Sequence, residues 1–132
     1  MISQELNDRL TRVGANTPMG EMLRRYWHPI GALQELLTEP VQPVRILAED
    51  LTLFRTLKGE LGLIAKACAH RAISLAYGIP QENGLRCAYH GWMFDPTGRC
   101  IDMPNELPEF DFKEKVKIKA YPTQEMGGVV WA

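Results

Sequence analysis

Near the start of the chain the apolar residues Ile2, Leu6 and Leu10 recur every four positions behind a Ser3 able to cap, which predicts a short helix within residues 1–16. Thr17-Pro18 offers a second start, an N-cap followed by proline in the first turn. Met19, Met22, Leu23 and Tyr26 then fall on one side, predicting a helix that lays this side on a sheet and ends at Pro29. From residue 30 onward the pattern shortens to strands separated by turn residues. Segments 44–48 and 51–56 predict a hairpin turning at Glu49-Asp50, and Lys58-Gly59-Glu60 turns the chain into a third strand over 61–67. Residues 73–85 read as a long irregular connection with turns at Gly78, Pro80 and Asn83-Gly84. Short strands are expected over 85–88, 92–95 and 99–102, the last two joined by Asp95-Pro96-Thr97-Gly98. Residues 103–114 read as a surface loop, and Val116 and Ile118 alternate with Lys115, Lys117 and Lys119 as a half-buried strand with a lysine face.

The strand over 61–67 delivers Cys68, where the chemistry begins. Cys68-Ala69-His70-Arg71 and Cys87-Ala88-Tyr89-His90-Gly91-Trp92 hold two of the three cysteines and two of the three histidines. Each arm pairs a thiolate with an imidazole, a mixture taken by zinc or by an iron–sulfur centre in which histidines replace two cysteines on one iron. Common zinc modules place a cysteine pair ahead of a histidine pair. Here both arms are mixed, so each can offer its cysteine to one metal and its histidine to another, clamping a two-iron cluster from both ends. A structural zinc is the alternative on these residues.

C-x-H followed by C-x-x-H-G-W resembles the Rieske [2Fe–2S] signature, and Arg71 with Gly91-Trp92-Met93-Phe94-Asp95 is similar to the form found in ring-hydroxylating oxygenases. Leu23-Arg24-Arg25-Tyr26-Trp27-His28-Pro29, Asp102-Met103-Pro104 and Ile118-Lys119-Ala120-Tyr121-Pro122 resemble the phthalate-dioxygenase-type large subunits, so the resemblance covers nearly the whole chain. Two positions depart from it: Ala69 stands where proline is usual, and Ala72 where glycine is usual. Alanine at position 72 reshapes the first loop if φ > 0 is needed there. The resemblance implies an all-β fold, a Rieske-type antiparallel β-sandwich with two cluster-binding loops and a short helical N-terminal segment. Residues 1–132 then form a single domain, with a helical part over 1–30 and a β part over 40–132. It further implies one [2Fe–2S] cluster, with Cys68 and Cys87 on the inner iron, His70 and His90 on the outer, and Arg71, Tyr89, Gly91 and Trp92 around it.

Two thiolates and two neutral imidazoles leave the oxidised core neutral where four thiolates leave it doubly negative. An electron is then added more readily, at roughly −150 to +300 mV. High-potential respiratory centres resemble C-T-H-L-G-C and C-P-C-H-G-S, with a disulfide and a serine hydroxyl that bonds a sulfide. Ile73, Tyr89 and Trp92 stand at those positions here, so the midpoint is expected near the low end of that range. The free ring nitrogens of the two histidines are expected to couple reduction to proton uptake. Rieske oxygenases activate O₂ at a separate iron held by two histidines and a carboxylate. With His70 and His90 committed only His28 remains, so electron transfer without oxygen activation is expected of these residues. The implied partners are an electron-donating reductase and, as acceptor, an oxygenase catalytic domain or neighbouring subunit. The alternative to an N-terminal oxygenase domain is a self-standing Rieske ferredoxin serving a separate oxygenase.

Composition narrows the setting. The 132 residues suit one domain, and a net charge of −1 offers no electrostatic argument for nucleic acid or a membrane surface. The start is polar and no run approaches the ~20 apolar residues of a membrane span. Cys100 is the one thiol outside the arms, too few for an intramolecular disulfide beside the cluster, which fits a cytoplasmic protein. Cys100 is expected as a small buried residue, His28 as a capped or core residue and Trp92 as a shield over the cluster.

Overall fold

The computed structural model describes residues 1–132 and opens on two short helices. Helix α1 (Gln4–Thr11) is capped by Ser3, whose Oγ accepts from the Leu6 N–H at 3.2 Å. Helix α2 (Pro18–Leu23) is capped by Thr17, whose Oγ1 accepts from the Gly20 N–H at 3.2 Å. Both starts lie where the cap residues placed them. Of the side of the second helix expected to lie on a sheet, Met22 and Tyr26 are exposed while Met19 and Leu23 are half-buried, and Gly20 is the one buried residue of α2; Leu6 and Leu10 of α1 are exposed. Helix α2 also stops well before Pro29, and His28 donates through Nε2 to the Leu23 carbonyl at 2.8 Å, satisfying an acceptor of its last turn.

The remaining elements are β1 (Pro29–Ala32), α3 (Leu33–Thr38), β2 (Val41–Ile46), β3 (Glu49–Arg55), β4 (Leu61–Ala65), β5 (Ile79–Pro80), β6 (Leu85–Arg86), β7 (Met93–Phe94), β8 (Cys100–Asp102), β9 (Ala120–Tyr121), β10 (Gln124–Met126) and β11 (Val129–Trp131). They form three antiparallel sheets with orders β1-β11-β10, β2-β3-β4-β9 and β5-β6-β7-β8. Alternation along β3 and β4 divides the interior. Leu51, Leu53 and Leu63 join Leu36 of α3 and Val130 of β11 in one core, while Phe54 and Ile64 join Leu85, Phe94 and Cys100 in the other. The β2-β3-β4-β9 sheet is therefore covered on both faces, which is why Leu51, Thr52, Leu53 and Phe54 are buried in succession. Gly62 pairs with Phe54, and a Cβ there would lie 2.5 Å from the Phe54 ring, so glycine makes room for the aromatic. Each fully buried Leu, Ile or Phe contributes about 1.5–3 kcal/mol.

The β2–β3 hairpin turns at Leu47-Ala48 rather than Glu49-Asp50. Both turn residues take positive φ, 47° and 63°, the backbone that matches strand twist in a two-residue turn, and Glu49 pairs with Ile46 as the first residue of β3. The shift turns Glu49 inward, where it accepts from Arg24 Nη1 at 2.6 Å, Tyr121 Oη at 2.9 Å and Lys119 Nζ at 3.0 Å. Burial works against its charge, but the hydrogen bonds from Lys119, Tyr121 and Arg24 outweigh this and hold its carboxyl below the usual range. One carboxylate thus ties the end of α2 to β3 and β9.

The lysine-faced run ahead of β9 alternates as expected, with Ile118 buried and its lysine neighbours exposed. It is a crossing rather than a strand, because its backbone serves two sheets. The Val116 carbonyl accepts from Cys100 in one sheet, and the Lys119 carbonyl accepts from Ala65 in the other. No helix is long and apolar enough to cross a membrane.

Candidate metal centre

Two arms built on one backbone plan converge at the end of the second core. The first follows β4 and is closed by a bridge between Ala67 and Ser74; the second spans β6 and β7, where Arg86 pairs with Met93. In each arm the cysteine N–H donates to the carbonyl five residues on, Cys68 to Ile73 at 2.9 Å and Cys87 to Trp92 at 2.8 Å. In each, the cysteine carbonyl accepts from the N–H four residues on, Ala72 at 2.9 Å and Gly91 at 3.0 Å. That fourth residue is left-handed in both, φ 55° at Ala72 and 79° at Gly91.

Position 72 therefore does require φ > 0, and alanine occupies it at a backbone penalty of about 1–2 kcal/mol. Ala72→Gly relieves this but adds unfolded-chain freedom worth about 0.5–1 kcal/mol. The metal-free protein is expected to gain up to about 1 kcal/mol, read as a higher urea midpoint with unchanged m-value.

The donors are graded from inside to outside. Cys68 and Cys87 are each 4% exposed, both free thiols, while His70 and His90 are half-buried with ring centroids 4.6 Å apart. In the metal-free chain burial, with neighbouring Cys87 adding to it, pushes the Cys68 thiol up to about 11, so metal binding must displace its proton. Trp92 stacks on His70 with centroids 4.6 Å apart and is itself covered edge-on by Phe112, so the indole is both shield and core residue. Tyr89 is 60% exposed with its ring 3.8 Å from that of His90. Arg71 is exposed and makes no ion pair within the chain. Of the eight residues named from the sequence, all but Gly91 line one narrow space. Gly91 lies behind it, against Pro104, where a Cβ would come within 2.8 Å of Pro104 Cγ.

The donor set fits a two-iron cluster. His70 Nδ1 is buried without a hydrogen-bond partner, and two buried thiols lie beside it unoxidised, so the site gathers ligand atoms the protein itself leaves unused. Two cysteines and two histidines line the same narrow space. A cluster of two irons asks only two protein donors of each. Cys100 lies in the core with Sγ 3.5 Å from the Asp102 carbonyl, and burial pushes its thiol up, as suits an inert residue.

The chain did not disclose what braces the second arm. Arg86 donates to the Gly91 carbonyl at 2.6 Å, and Asn105 Nδ2 donates to the His90 carbonyl at 3.0 Å. Adjacency to Cys87 was the one available signal for Arg86; Asn105 is fifteen residues from its partner and carried none.

The Rieske [2Fe-2S] domain family model matches residues 26–122, and the chain belongs to that family. Its cofactor is one Rieske [2Fe–2S] cluster. Within the family it is similar to the N-terminal portions of ring-hydroxylating oxygenase subunits. The 5,5'-dehydrodivanillate O-demethylase oxygenase subunit of Sphingobium sp. is 51% identical over 135 residues, covering 100% of this chain and 32% of that protein. The phthalate 4,5-dioxygenase oxygenase subunit of Pseudomonas putida is 42% identical over 134 residues, covering 100% of this chain and 30% of that protein. The chain thus spans about a third of the length of these relatives. Among solved structures, NdmA of Pseudomonas putida CBB5 (a QL mutant with theobromine) superposes with a TM-score of 0.76 at 31% identity, covering 84% of this chain and 34% of that one. Dicamba monooxygenase with non-heme iron and dicamba gives 0.70 at 27% identity, covering 80% and 32%.

Proposed function

We propose that this chain transfers single electrons as the Rieske domain of a ring-hydroxylating oxygenase, with Cys68 and Cys87 on the inner iron and His70 and His90 on the outer. The reading treats residues 1–132 as one domain, supported by the pairing of β11 with β1 and β10 in one sheet. The observation that carries it is the inside-to-outside order of the donors: both thiols are buried and both imidazoles reach the rim. The bound cluster supplies one-electron chemistry. The chain's own residues do the rest: the thiolates anchor from within, Trp92 and Phe112 keep water from one flank, and the imidazole edges stand where a partner can approach. An electron-donating reductase is the proposed donor, and an oxygenase catalytic domain or neighbouring subunit the acceptor.

Iron and sulfide analysis with an EPR spectrum of the dithionite-reduced protein tests the cluster, and potentiometry tests its class. The expected result is a red-brown protein with the low average g of a histidine-ligated cluster and a midpoint near the bottom of the roughly −150 to +300 mV range. A colourless zinc protein, or a midpoint above about +100 mV, would contradict the reading.

A further inference from the structure

The two arms share a backbone plan but only one is braced. Arg86, whose side chain is 27% exposed, donates through Nη1 to the Gly91 carbonyl at 2.6 Å and pairs with Asp102 Oδ2 at 2.8 Å. Its Nη2 lies 3.7 Å from Met93 Sδ. In the first arm the equivalent of Arg86 is Ala67, which bridges to Ser74 and has no side chain to reach across.

The asymmetry follows from what each arm carries at its left-handed position. Pro104 leaves no room for a Cβ at position 91, so that residue is glycine. Glycine at φ 79° is free to rotate where Ala72 is not. The peptide between His90 and Gly91 is already held, its carbonyl by Asn105 and its N–H by the Cys87 carbonyl. The next peptide, whose carbonyl is that of Gly91, has no such hold apart from Arg86 and joins the glycine to Trp92. The guanidinium holds that carbonyl from behind, and Asp102 holds the guanidinium in a charge-assisted pair.

We propose that Arg86, held by Asp102, is the positioning residue of the second arm: it fixes the Gly91–Trp92 peptide, between His90 and the indole that stacks on His70, and supplies positive charge that favours the reduced cluster. The proposal rests on the ligand assignment above. A cation nearby stabilises the state with the extra electron, so it raises the midpoint; Asp102 offsets part of that charge.

The experiment compares Arg86→Gln, Arg86→Lys and Asp102→Asn with the unmodified chain, each loaded with iron and sulfide, by EPR, potentiometry and cluster half-life under chelator. Arg86→Gln is expected to lower the midpoint and shorten the half-life about ten-fold or more. Arg86→Lys keeps the charge, so it should restore the midpoint while recovering the half-life only in part. Asp102→Asn keeps an acceptor for Arg86 but removes the opposing charge, so the midpoint should rise. If Arg86→Gln fails to fold by circular dichroism, the Lys and Asn variants decide. Arg86→Gln with unchanged midpoint and half-life overturns the proposal, as does a Lys variant whose midpoint falls or an Asn variant whose midpoint does not move. An unmodified chain without a histidine-ligated cluster overturns the ligand assignment itself, a distinct outcome.

Discussion

Alanine in place of Cys87 should abolish the reduced [2Fe–2S] EPR signal altogether, and so should Cys68→Ala, His70→Ala and His90→Ala, each singly. The reason is the closeness of the count. The narrow space between the arms is lined by two cysteines and two histidines, with no spare carboxylate or thiol on its wall. Cys100, the only other cysteine, lies in the core against the Asp102 carbonyl and is not among the lining residues. Loss of one thiolate also leaves the other buried at 4% exposure with nothing to hold, and its neutral form is then favoured. Iron content after reconstitution should fall with the signal, and a variant that keeps both would remove its residue from the ligand set.

The second large effect is structural. Gly98→Ala is expected to destabilise the protein by about 3 kcal/mol, lowering Tm by about 10 °C. Gly98 closes the turn between β7 and β8 at φ 83°, its N–H donating to the Asp95 carbonyl at 2.9 Å and its own carbonyl accepting from Ile118 at 2.8 Å. A Cβ would sit 2.3 Å from the Ile118 carbonyl oxygen, which is backbone and cannot step aside. Gly127→Ala separates the two contributions, because Gly127 has φ 66° with nothing within 4 Å of an added Cβ. It should lose only about 1–2 kcal/mol. Thermal melts of both variants would show this; equal shifts would mean that contact with Ile118 adds nothing to conformational strain.

Much of the site could be read from the chain because its signal is local. Each cysteine stands within three residues of its histidine, and Ala72 and Gly91 each stand four after the cysteine whose carbonyl they cap. At Ala72 the chain raised positive φ only as a condition, through the glycine usual there in the resembling family, and the backbone at φ 55° meets it. The Asp95–Gly98 turn was plain, since Asp95 Oδ1 accepts from the Thr97 and Arg99 N–H groups within the turn itself. Helix α3 escaped because six residues are too few to show a period, Ala32 offers no side-chain cap, and Leu36 is its one buried residue. The hairpin turn escaped because neither Leu47 nor Ala48 is a residue that favours φ > 0. What sets their register is Glu49, whose three partners lie as far as 72 residues away.

The same division runs through the whole protein. Caps and paired donors depend on neighbours a few bonds away, so the sequence alone determined the helix starts and the two mixed arms, and its resemblance to the Rieske family implied the all-β class and the cofactor. Which faces are covered depends on partners distant in the chain. Tertiary structure alone therefore decided that Leu6 and Leu10 of α1 and Met22 of α2 stay exposed, that the β2-β3-β4-β9 sheet is buried on both faces, and that Arg86 braces one arm while the other stands unbraced. Local spacing paired each cysteine with a histidine; long-range packing ordered the pairs, thiols inward and imidazoles at the rim.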